Sequence, residues 1–107
     1  MTPEKFKLIL RNRDVNSILM GTPKGHSHIR AIMETRYGTF IFQEATIANL
    51  VRAYITLKTH PRTRSLKLTL KEMNDEGEAK PGFAKFQLLE QETDTAEIQE
   101  EIDKLCP

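Results

Sequence analysis

The chain has 107 residues, enough for one domain, residues 1–107, with its own core and no metal or disulfide staple. Its 38% apolar and 29% charged residues suit a globular domain, and with no apolar run longer than a few residues a membrane span is excluded. The formal net charge of +1 hides a division: residues 1–71 hold 13 Lys/Arg against 4 Asp/Glu, and residues 72–107 hold 3 against 11. Such a split marks a nucleic-acid contact or an acidic tail in some chains and self-neutralisation within one fold in others. The second is the simpler account here.

Thr2-Pro3-Glu4-Lys5 is a good helix opening, with a hydroxyl cap, proline at the first position and then an acid. A short helix from Pro3 to about Arg11 is expected, although Phe6, Leu8 and Leu10 also alternate as in a strand. Asn12-Arg13-Asp14 is a turn, and Ser17–Met20 a short strand. Gly21-Thr22-Pro23-Lys24-Gly25 is a loop by composition. His26–Thr35 is expected to be extended, with Ile29, Ala31 and Met33 on one face and His28, Arg30, Ile32 and Glu34 on the other. Arg36-Tyr37-Gly38 breaks this strand. Thr39–Gln43 resumes it, with Phe40 and Phe42 on one face, and so completes a hairpin.

Glu44–Thr59 is the strongest segment. Ile47, Leu50, Val51, Tyr54 and Ile55 recur at helical spacing, and Leu57 widens the apolar arc to roughly 160° at about 100° per residue. Ala45, Asn49, Arg52, Ala53 and Thr56 occupy the other side. An arc this wide is expected to be core. Pro61 disfavours helical geometry at His60 and ends the helix. Ser65–Lys71 alternates Leu66, Leu68 and Leu70 with polar residues, the pattern of a strand. Asn74-Asp75-Glu76-Gly77 is a turn, and Pro81-Gly82 a further irregularity. Phe83–Glu90 is a strand with Ala84, Phe86 and Leu88 inward. A final helix runs from about Thr95 to Leu105, with Asp94 and Glu97 at capping-box spacing and a narrow stripe of Ile98, Ile102 and Leu105.

The expected fold class is therefore α+β: a small antiparallel sheet, a ββαββ core of two hairpins, with a central helix and a C-terminal helix packed on one face. The single cysteine, Cys106, forms no internal disulfide, and MTPEKFKLIL lacks the apolar core of a signal peptide. A cytoplasmic location is the expectation.

Few residues point to chemistry. In an extended strand His26 and His28 would share a side, as metal ligands do, with Glu34, His60 or Cys106 as conceivable third ligands, none at a telling spacing. Ser27 has no oriented base to make it a nucleophile. GTPKGHSH departs from the phosphate-loop pattern, with three residues between its glycines and His after Lys, although Lys24 and nearby amides could hold an anion. His60-Pro61-Arg62-Thr63-Arg64 is a compact basic loop. Arg30, Lys67, Lys71 and Lys85 add positive charge to outward strand faces, a pattern that binds phosphates by releasing counterions. No exposed aromatic platform for bases accompanies it, and no carboxylate pair stands out for acid–base work.

These residues favour a small non-enzymatic binding or assembly module without a cofactor. Its basic sheet face and Pro61–Arg64 loop (Lys24, Arg30, Arg62, Arg64, Lys67 and Lys71) would meet an anionic partner, nucleic acid or acidic protein, or the chain would self-associate. A homodimer is expected from Ile32 and Leu89, which a one-sided sheet leaves on its outer face. The alternative is a small metal-dependent enzyme or metal sensor built on His26 and His28.

Overall fold

The computed structural model describes residues 6–72, 86–91 and 93–106. The chain is α+β, with strands β1 (Val15–Gly21), β2 (Arg30–Thr35) and β3 (Gly38–Gln43), helix α1 (Glu44–Thr59), strands β4 (Leu68–Glu72) and β5 (Phe86–Glu90), and helix α2 (Thr95–Leu105). The strands are distributed over two antiparallel sheets, β1-β2-β3 and β4-β5. The chain divides into two compact units, residues 1–47 and 48–107, with the boundary inside α1.

The first unit is a three-stranded meander. In β1–β2 Ile18 lies opposite Met33 and Met20 opposite Ala31, and in β2–β3 Met33 lies opposite Phe40 and Ala31 opposite Phe42. Because directly opposed residues share a face, these six form one apolar face. The other face carries the row Leu19, Ile32, Ile41. Arg36 and Tyr37 make the two-residue turn between β2 and β3. The buried Thr35 hydroxyl accepts from the amides of Tyr37 and Gly38 at 3.1 and 3.2 Å and donates to the Gly38 carbonyl at 2.8 Å. Gly38 has φ of +145°, a conformation that disfavours any side chain.

Two expectations for this unit are corrected. Residues 6–11 form neither helix nor strand, and Pro3–Lys5 lie outside the described residues. Phe6 is exposed, so this segment buries too little to offset the cost of nucleating a short helix. The second correction concerns His26–Ile29, which precede β2 as a loop and not as strand. The β2–β3 ladder ends where Arg30 meets Gln43, and without a pairing partner the preceding residues turn: the His26 amide donates to the Pro23 carbonyl at 3.0 Å.

In the second unit β4 starts at Leu68, three residues later than the alternation suggested, because its partner β5 ends at Glu90, opposite Leu68. One further bond, from the Gln91 amide to the Lys67 carbonyl at 2.8 Å, continues past the ladder. The Asn74–Gly77 turn, the Pro81-Gly82 irregularity, Phe83 to Lys85 and the inward placement of Ala84 lie outside the described residues. Phe86, expected inward, is exposed, while Leu88 is half-buried. Helix α2 occupies its expected range. Asp94 caps it, its carboxylate accepting from the Ala96 amide at 2.8 Å. Glu97 does not close the expected box, and accepts instead from the Thr93 hydroxyl at 3.0 Å. Of its stripe, Ile98 is buried, with Ala31 one of the two buried apolar side chains among the described residues.

The largest correction concerns α1. Its range is as expected, but none of its residues is buried. Leu50 and Tyr54 are 59% and 63% exposed, and Val51, Ile55 and Leu57 are exposed with them. In its first turn Glu44, Thr46 and Ile47 are half-buried; beyond it the half-buried positions are Asn49, Ala53 and Thr56, on the side expected to face water. Small side chains there let the helix approach the leucines of its own unit, so the wide apolar arc is left outside.

Candidate functional site

Local chemistry fixes α1 firmly. Glu44 stands in its first turn and Lys58 in its last, each complementing the helix dipole. The Thr59 hydroxyl donates to the Ile55 carbonyl at 2.7 Å, and the His60 amide to the Thr56 carbonyl at 3.0 Å. Pro61 then ends the helix, and the Thr63 amide closes a turn on the His60 carbonyl at 3.3 Å.

The inner side of α1 helps to line a shallow depression of about 290 Å³. Asn49, Arg52, Ala53 and Thr56 form one wall, and Leu66, Leu68, Leu88, Leu89 and Glu90 the other. Arg52 Nη2 donates to the side-chain Oδ1 of Asn49 at 2.5 Å, an i, i+3 pair on the helix surface. The outer side is the apolar stripe Leu50, Val51, Tyr54, Ile55 and Leu57. Five large apolar side chains exposed on one helix face are a feature that points to an interaction surface. In the first unit the row Leu19–Ile32–Ile41 is also uncovered at its ends, where Leu19 and Ile41 are exposed.

The residues singled out for metal binding do not assemble a site. His28 Nδ1 lies 2.7 Å from Glu44 Oε2, so its near partner is the first residue of α1. His26 sits in the turn after Gly25, whose φ is +82°. No group of three His, Cys, Asp or Glu residues placed to hold a metal occurs among the described residues. Cys106 is an exposed free thiol after the end of α2.

The candidate anion-binding residues belong to both units. Lys24 is in the loop between β1 and β2. Arg30 Nη1 donates to the His28 and Ile29 carbonyls, both at 3.3 Å. Arg62 and Arg64 are exposed on the segment after α1. Lys67 Nζ pairs with Glu101 of α2 at 3.0 Å, while Lys71 stands opposite Gln87 in the β4–β5 ladder. The acidic last helix thus engages Lys67 directly, with its first residue also tied in: the Thr95 carbonyl accepts from the buried Ser65 hydroxyl at 3.5 Å.

Sequence reasoning missed the most buried polar group. Asp14, 2% exposed, accepts from the Arg11 amide at 3.0 Å, and its other oxygen lies 3.6 Å from Arg36 Nη1. Its carbonyl accepts from the Arg36 amide at 3.0 Å, which ties the 3-10 turn Asn12–Asp14 to the β2–β3 turn. Arg36 also lies over the Tyr37 ring, 5.6 Å from its centroid. The signal available was an aspartate closing a turn ahead of a strand, which shows the turn but not its distant arginine. No helix among the described residues is long and apolar enough to cross a membrane. No protein-family model, no curated protein and no solved structure matches the chain.

Proposed function

We propose that the chain is a small non-enzymatic assembly module that self-associates through the outer face of α1. The observation that carries this reading is the orientation of the helix. Leu50, Val51, Tyr54, Ile55 and Leu57 lie outward while the small and polar side approaches the leucines of its own unit. With these side chains 38–63% exposed, leaving the stripe in water forgoes about half of the roughly 1.5–3 kcal/mol that full burial of each large side chain is worth.

The competing readings have less support. For an anionic partner, Arg30 and Lys67 are already engaged, by carbonyls and by Glu101. A metal site on His26 and His28 needs a third ligand that is not found among the described residues.

Sedimentation velocity across a wide concentration range tests the proposal. The wild-type chain is expected to pass from monomer to dimer as concentration rises. Leu50→Asp is expected to stay monomeric with an unchanged far-ultraviolet circular dichroism spectrum. A wild-type chain that is monomeric at every concentration overturns self-association.

A further inference from the structure

Resting on the self-association reading, the charges that bracket the α1 stripe assign it an orientation and a register. We propose that two copies pair through α1 in antiparallel fashion, centred on Val51, with Glu44 of each copy beside Lys58 of the other.

Glu44 and Lys58 are fourteen positions apart in α1, about 21 Å along the axis and within about 40° of each other around it. Both lie within about 20° of the direction in which Val51 points, at about 100° per residue. The line of the apolar stripe through Val51, about 40° from the middle of the arc, therefore runs from an acid at one end to a base at the other. Val51 is the midpoint of the two charges, and Ile47 and Ile55 are symmetric about it.

A two-fold axis through Val51 consequently brings like to like in the apolar centre and unlike to unlike at the ends. Val51 meets Val51, Ile47 meets Ile55, and each Glu44 meets a Lys58. Leu50 and Tyr54 share one flank, so Tyr54 packs over Leu50 of the second copy. The antiparallel arrangement also opposes the two helix dipoles. A parallel pair would set Glu44 against Glu44 and Lys58 against Lys58, which is repulsive, with its dipoles aligned. Glu44 already accepts from His28 Nδ1 at 2.7 Å. A carboxylate offers about four acceptor positions, so the ammonium of a second copy is accommodated as well.

Disulfide trapping tests the register, because a disulfide requires Cα atoms within about 7 Å. In a Cys106→Ser background, the Val51→Cys chain is expected to cross-link to itself under mild oxidation. The Ile47→Cys and Ile55→Cys chains are expected to cross-link only when mixed. Self-cross-linking of the Ile47→Cys chain alone would mean parallel pairing and overturns the proposal. So does the absence of all these cross-links in a chain that still sediments as a dimer, which leaves self-association intact through another surface. A wild-type chain that does not dimerise removes both readings. A second measurement uses charge: Glu44→Lys and Lys58→Glu are each expected to weaken dimerisation about ten-fold, and their equimolar mixture to regain it. A mixture as weak as either variant alone contradicts the Glu44–Lys58 pairing.

Discussion

The two helices of this chain make an instructive contrast. Helix α1 has the wider apolar arc and buries none of its residues, whereas α2 has a narrow stripe and buries Ile98. Amphipathicity measures how much a face gains by leaving water. It carries no information on whether the covering surface belongs to the same chain. In α2 two polar contacts come from its own unit, with Ser65 bonded to its first residue and Lys67 to Glu101. In α1 the near side is occupied by Asn49, Ala53 and Thr56, and the apolar side is left for another surface.

Matched substitutions sharpen this contrast. The largest effect is expected at Ile98, where Ile98→Ala leaves a cavity and costs about 2–5 kcal/mol in urea unfolding. Ile55→Ala, the same change on the outer face of α1, is expected to cost under about 1 kcal/mol in dilute solution. Equal losses would erase the distinction between the helices. An intermediate effect is expected from Asp94→Ala, which removes the cap of α2 and costs about 1 kcal/mol. Amide exchange in the first turn of α2 should quicken while that of α1 is unaffected; exchange that is unchanged in both would mean the cap contributes nothing. Lys67→Ala should have the smallest effect. Its pair with Glu101 is close to half-exposed on both sides and is worth less than about 1 kcal/mol, falling further with salt. A loss well above that would show that charge, and not Ile98, holds α2 in place.

How much of this was legible in the sequence depended on the range of the interaction involved. The ends of α1 and α2 are set by Glu44, Pro61 and Asp94, all local, and both helices occupy their expected ranges. The alternation of β2 and β3 is equally local, and opposed pairs such as Met33 and Phe40 follow from it. His26 to Ile29 alternate too, but a strand requires a neighbour, and the β2–β3 ladder ends at Arg30 and Gln43. Asp14 looks like any turn aspartate until Arg36, from a distant turn, closes over it. The orientation of α1 was the least legible, because Ala53 and Thr56 read as solvent-facing by composition and yet lie toward Leu66 and Leu88. Of the candidate site residues, His28 was singled out as a metal ligand; its Glu44 partner is sixteen positions away and no spacing rule reaches it.

The central claim is that the Leu50 face of α1 is an outer surface of the single chain. Thermal unfolding of wild type and Leu50→Asp across a range of protein concentrations tests it most directly. The wild-type midpoint is expected to rise with concentration as mass action favours the dimer, and the Leu50→Asp midpoint to stay constant. At the lowest concentration the two should melt together within a few degrees. A Leu50→Asp chain that is unfolded, or melts far below wild type in dilute solution, would mean the face is buried within the monomer and would contradict the account.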